Sequence, residues 1–122
     1  TACLHKLPIK IIVLNNHYLG MVRQWQELFY DDRKSGVDLE GNPDFAKLAE
    51  AYQNAKGFTL KRPADVKKIL ARALEYNDGP CVINAEVVKT ENVFPMIPAG
   101  RPLEDMLVEP PKAQMEKPTG ST

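Results

Sequence analysis

A run of branched apolar residues that ends abruptly on two asparagines constrains this chain more than any other feature. Ile9, Ile11, Ile12, Val13 and Leu14 are interrupted only by Lys10. A short β-branched run without polar alternation fits a parallel strand covered on both faces. Asn15-Asn16 then falls at the strand's carboxyl end, the edge of such a sheet where ligands bind. Tyr18, Val22, Trp25 and Phe29 follow at helical spacing, with Arg23 and Glu27 placed i,i+4 on another face. Strand, polar turn and helix together open a layered α/β structure.

The turn has a chemistry of its own. An amide oxygen at a strand end can bind a hard cation such as Mg²⁺ that also holds phosphate oxygens, which makes Asn16 a candidate metal ligand. A helix starting near Leu19 would leave the backbone N–H groups of Leu19, Gly20 and Met21 free at its positive end, where an anion is stabilised. Gly20 permits close approach. The same residues also suit an ordinary turn and helix cap, with Met21 and Trp25 as core residues, and the local pattern leaves both readings open.

Downstream, Asp31 to Gly41 is polar and reads as a surface loop able to close over a site. Asn42 suits an N-cap with Pro43 at the first helical position, and Phe45, Leu48, Ala49 and Tyr52 form one apolar face of a helix ending before Gly57. Phe58-Thr59-Leu60 reads as a short strand. Pro63 opens a third helix with Val66, Ile69, Leu70, Ala73 and Leu74 at helical spacing, and Asn77-Asp78-Gly79-Pro80 stops it. Cys81 to Val88 is the last strand, while Thr1 to Lys6 reads as the end of a preceding helix. This order predicts an α/β fold, a three-layer parallel sheet with flanking helices, over residues 1–92. From 93 to 122, repeated prolines at 95, 98, 102, 110, 111 and 118 predict an extended tail.

Bulk properties exclude several classes of partner. The 122 residues are 43% hydrophobic, enough for one modest core. Sixteen basic and sixteen acidic side chains cancel, and no dense basic run is present, so neither nucleic acid nor an anionic membrane is indicated. Cys3 and Cys81 form no Cys-x-x-Cys pair, which points to a reducing compartment rather than a zinc site or disulfide framework. No stretch approaches membrane-spanning length, and the chain is expected to be soluble. A first residue of Thr1 suggests a fragment of a longer chain.

The run from Leu14 to Tyr30, LNNHYLGMVRQWQELFY, resembles the signature of the acetohydroxyacid synthase (acetolactate synthase) catalytic subunits. Val93 to Gly100, VFPMIPAG, is similar to that family's carboxy-terminal VLPMIPSG-type segment, and the Asn42 to Phe45 and Gly79-Pro80 elements fall in the same order. The resemblance implies a thiamine-diphosphate-binding fold, of which residues 1–92 would be the carboxy-terminal part. It also implies thiamine diphosphate and Mg²⁺ as cofactors, with FAD in the complete enzyme. Asn16 and the Tyr18 carbonyl would hold the metal, Leu19, Gly20 and Met21 the diphosphate, and Met21 and Trp25 the substrate.

The implied reaction decarboxylates pyruvate and ligates the two-carbon unit to pyruvate or 2-oxobutyrate, a step in branched-chain amino-acid biosynthesis. The family's Gly-Asp-Gly, whose Asp is a further metal ligand, does not occur in this sequence. Its activating Glu belongs to an earlier domain, so no catalytic residue is assigned and the isolated chain is expected to be inactive. Partners implied are the rest of the catalytic subunit, a homodimer or tetramer, and a regulatory subunit. The expected location is the bacterial cytoplasm, or a plastid or mitochondrion in a eukaryote. Alternatives are another thiamine-diphosphate 2-oxo-acid decarboxylase or carboligase, or a noncatalytic truncated module that needs a partner chain. Individually, His17 reads as a solvent-facing turn residue, and Arg23 is accounted for by pairing with Glu27.

Overall fold

A computed structural model describes residues 1–110. Strand β1 (Lys10–Asn15) leads into helix α1 (Gly20–Phe29), followed by α2 (Phe45–Glu50), β2 (Lys56–Leu60), a 3₁₀ turn (Pro63–Asp65) that continues into α3 (Val66–Glu75), and β3 (Cys81–Glu86). The strands form one parallel sheet in the order β1-β3-β2, with Lys10 and Lys56 both in register with Cys81. The expected element order and parallel sheet are both present.

Alternation along the strands sets the layers. Phe58 and Leu60 point to one face, where they pack with Cys81, Ile83 and the α3 residues Ile69, Leu70 and Ala73. Gly57 points to the other face, where α2 lies so close that an added Cβ would sit 2.0 Å from the Ala46 carbonyl oxygen. Helices therefore flank both faces of β2 and β3. At the far end of the sheet, Gly79 lets the chain before β3 meet Asn54, since a Cβ there would approach the Asn54 carbonyl oxygen to 1.7 Å.

Three expectations need correction. β1 is an edge strand, and Ile12 and Leu14 are 51% and 71% exposed rather than covered on both faces, because these residues place no layer outside it. The cap of α2 is Asp44, whose carboxylate accepts from the Lys47 N–H at 3.1 Å, so the helix starts two residues later than Asn42-Pro43 suggested. β3 ends at Glu86, since β1 turns away after Asn15 and leaves only the Val87 N–H to reach the Asn15 carbonyl. Residues 1–6 form one closing helical turn, as expected: the His5 N–H donates to the Thr1 carbonyl, and the Lys6 and Leu7 N–H groups return to the Cys3 and Ala2 carbonyls around a left-handed Lys6 at φ +50°.

From residue 93 to 110 the chain forms no α-helix or regular strand, but carries a 3₁₀ turn at Leu103–Asp105 and folds back through an antiparallel bridge between Met96 and Leu107. Pro111 and Pro118 lie outside the described residues.

Candidate functional site at the turn between the first strand and first helix

The carboxyl ends of β1 and β3 lie side by side, Asn15 opposite Glu86, and the chain leaves β1 through two successive side-chain turns. The buried Asn15 Oδ1 accepts from the His17 N–H, and Asn16 Oδ1 accepts from the Tyr18 N–H, each at 3.1 Å. Asparagine favours such turns because its short amide substitutes for a backbone acceptor. Between them His17 takes φ +58°, a left-handed conformation that costs a non-glycine residue on the order of 1 kcal/mol.

His17 is a turn residue with a side chain 38% exposed, but that side chain is paired rather than free in solvent. Its Nε2 lies 2.7 Å from Glu86 Oε2, while Glu86 Oε1 accepts from Asn84 Nδ2 at 2.9 Å. Asn84 is buried in the central strand, and its Oδ1 has no partner, a loss of about 1–3 kcal/mol. Sequence reading missed this cluster because its members are 69 residues apart and nothing local links them.

The first turn of α1 has no side-chain cap. The N–H groups of Gly20, Met21 and Val22 and the carbonyl of Tyr18 meet no hydrogen-bond partner among the described residues. Leu19 differs from expectation: its N–H donates to the Val37 carbonyl at 2.9 Å and is not available to a ligand. The cause is the 31–41 loop, which folds back beside the turn, pairs Asp38 with Tyr18 and buries Val37. Gly20 lies close to the turn, since a Cβ there would sit 3.0 Å from Asn16 Nδ2 and press on that amide.

Two cations flank the Tyr18 ring, Lys89 Nζ at 4.7 Å and the Arg23 guanidinium at 5.8 Å from its centre. Lys89 also pairs with Asp38 at 3.3 Å, and that hydrogen bond raises its pKa. The turn therefore presents hard oxygen atoms and free N–H groups close to positive charge. Among the described residues no cluster of three His, Cys, Asp or Glu side chains forms an alternative metal centre.

Helix α1 buries the opposite face from the one its apolar stripe predicts. Its buried residues are Arg23 and Gln24, each 1% exposed. Arg23 bonds to Glu27, to the Thr90 and Glu91 carbonyls and to Asn92, while Gln24 bonds the Val93 backbone in both directions, at 2.9 and 2.8 Å. An ion pair with Glu27 alone thus understates Arg23. Polar side chains can be buried here because the 90–93 segment supplies most of their partners, although the buried Arg23 Nε has none.

The apolar face is left open. Met21, Val22, Trp25, Gln26, Tyr30 and Arg33 line a hollow of about 540 Å³. Met21 and Trp25 lie together on its wall, one helical turn apart, and Trp25 is an edge-on neighbour of Phe29 at 5.5 Å rather than a residue of the sheet core.

A parallel α/β sheet that ends one strand in an oxygen-rich turn against a bare helix N-terminus belongs to the class that holds phosphate-bearing cofactors at strand ends. Residues 1–85 match the model of the family described as thiamine pyrophosphate enzyme, C-terminal TPP binding domain, and the chain belongs to that family. It is 43% identical over 103 residues to an acetolactate synthase large subunit of Lactococcus lactis subsp. lactis, covering 83% of this chain and 17% of the relative. It is 41% identical over 102 residues to the acetolactate synthase isozyme 2 large subunit of Escherichia coli, covering 84% and 18%. A large subunit from Pyropia yezoensis is 41% identical over 108 residues, covering 88% and 18%. The chain thus spans about a fifth or less of the length of these curated relatives. Among the described residues no helix is long and apolar enough to cross a membrane.

Proposed function

We propose that this chain is the carboxy-terminal part of the cofactor-binding domain of an acetolactate synthase catalytic subunit. The complete subunit would decarboxylate pyruvate and join the two-carbon unit to a second pyruvate or to 2-oxobutyrate. The observation that carries this reading is a single element, α1, with an open oxygen-rich turn at its start and the Met21–Trp25 hollow along its side.

The residues fit the implied cofactors. Asn16 Oδ1 and the unpartnered Tyr18 carbonyl are the hard oxygen donors that Mg²⁺ takes, and the remaining positions of its octahedron would fall to phosphate oxygens, water and residues outside this sequence. The Gly20 and Met21 N–H groups would donate to the diphosphate, whose charge the helix dipole and nearby Lys89 favour. Leu19 would contribute only its exposed side chain as a wall of that pocket. Thiamine diphosphate, once bound, supplies the nucleophilic carbon that loss of carbon dioxide from a 2-oxo acid requires. Trp25 and Met21 provide an apolar surface beside it for the acceptor's alkyl group.

FAD, a homodimeric or tetrameric assembly and a regulatory subunit belong to the complete enzyme in this reading. Its location would be the bacterial cytoplasm or, in a eukaryote, a plastid or mitochondrion. The test is product analysis of the complete subunit supplied with pyruvate and 2-oxobutyrate, Mg²⁺, thiamine diphosphate and FAD. Acetolactate and acetohydroxybutyrate are the expected products. Acetaldehyde alone would indicate a simple decarboxylase and overturn the proposal.

A further inference from the structure

We propose that Glu86 is a positioning residue for the metal-binding turn, acting through His17 and held in place by Asn84. The inference rests on the reading of Asn16 and the Tyr18 carbonyl as metal donors. The turn that presents them is short and its middle residue is left-handed: His17, at φ +58°, lies between the two donors in sequence, so its backbone sets the angle between them. Each neighbouring amide is already engaged, Asn15 Oδ1 by the His17 N–H and Asn16 Oδ1 by the Tyr18 N–H. The His17 side chain supplies the remaining hold, through its 2.7 Å contact with Glu86 Oε2.

Glu86 is suited to that task because it is itself fixed. It ends the central strand directly opposite Asn15, and its second oxygen accepts from Asn84 Nδ2 at 2.9 Å. Asn84 keeps this bond although its buried Oδ1 has no partner. A buried amide with half its capacity unused, on the central strand of the sheet, is explained by the bond it makes to Glu86. The sequence Asn84, Glu86, His17, then Asn16 and Tyr18, links the rigid sheet centre to the donors. Outer groups of this kind orient metal ligands and change metal affinity about 10- to 100-fold when removed.

The experiment titrates Mg²⁺ into the metal-free complete subunit with thiamine diphosphate present, by calorimetry, and records the thermal midpoint of each metal-free protein. Glu86→Ala and His17→Ala should each raise the Mg²⁺ Kd by roughly tenfold or more, His17→Ala with little change in midpoint because it leaves the Asn84–Glu86 bond intact, and the double variant should be no weaker than the weaker single. Glu86→Gln, whose carbonyl still accepts from His17, should stay within about threefold of the parent. An unchanged Kd in Glu86→Ala, or additive losses in the double variant, would overturn the proposal. If Glu86→Ala does not fold, an unchanged Kd in His17→Ala overturns it alone. Asn16→Ala separates the two readings: a raised Kd there with none in Glu86→Ala refutes only the positioning role, whereas no change in either refutes the metal assignment.

Discussion

Replacing Gln24 with alanine should release the segment that follows residue 90 from α1. Gln24 is 1% exposed and holds Val93 by two bonds, its Nε2 donating to the carbonyl at 2.9 Å and its Oε1 accepting from the N–H at 2.8 Å. Its Nε2 also lies 2.8 Å from Met96 Sδ. At about 1 kcal/mol net for each backbone bond, the two contribute about 2 kcal/mol to docking. If the segment stayed in place after the substitution, the Val93 N–H and carbonyl would both lose their protein partners, whereas lifting off gives them fully to water, so release is the cheaper response. A loss of 2 kcal/mol is roughly a 30-fold rise in the open population. Hydrogen exchange should therefore show the Val93 amide, and the bridging Met96 and Leu107 amides, losing roughly 30-fold in protection while Ile83 in the core is unchanged. Equal protection of Val93 in parent and variant would show that Gln24 does not hold this segment.

Further outcomes follow from the same structure. Trp25→Leu in the complete subunit should lower preference for 2-oxobutyrate over pyruvate by about tenfold, because rewarding one methylene is worth roughly 1–3 kcal/mol, and competition assays of both products measure it. An unaltered product ratio would return Trp25 to packing against Phe29. Cys81 is fully buried and burial raises its thiol pKa, so a thiol reagent should label Cys3 first in the native chain and both cysteines only in denaturant. The Lys47 N–H holds the Asp44 carboxyl below the ordinary carboxylate range. Its contribution is therefore complete above that range and lost as pH falls through the depressed folded value, and Asp44→Asn, which still caps, should flatten the acid limb of urea midpoints against pH.

Much of the fold was legible because its signals are local. The branched run of β1, the periodic apolar residues of α3 and the Gly79-Pro80 stop each declare an element within a few residues of themselves. The turn at Asn15-Asn16 was legible for the same reason, and the signature run placed Asn16, Tyr18, Gly20 and Met21 together. What failed depended on partners distant in sequence. Arg23 and Gln24 look like the exposed face of an amphipathic helix, and only the backbone of 90–93 makes their burial favourable. His17 looks like a loop histidine until Glu86 arrives from β3, and Leu19 looks available until Val37 takes its N–H. The misplaced start of α2 is different: Asn42 and Asp44 are both competent caps, and the choice is made by where α2 must sit for Ala46 to meet Gly57.

The Mg²⁺ dependence of Asn16→Ala in the complete subunit tests the central claim most directly, with Asn15→Ala as its companion. Asn16 Oδ1 is assigned to the metal, whereas the buried Asn15 amide serves the fold through its bond to the His17 N–H. Asn16→Ala should raise the Mg²⁺ concentration for half-maximal acetolactate formation, with excess Mg²⁺ partly restoring the rate, while Asn15→Ala should lower thermal stability and gain nothing from added metal. Parent-like Mg²⁺ dependence in Asn16→Ala would make that residue a structural turn and contradict the site described for this chain.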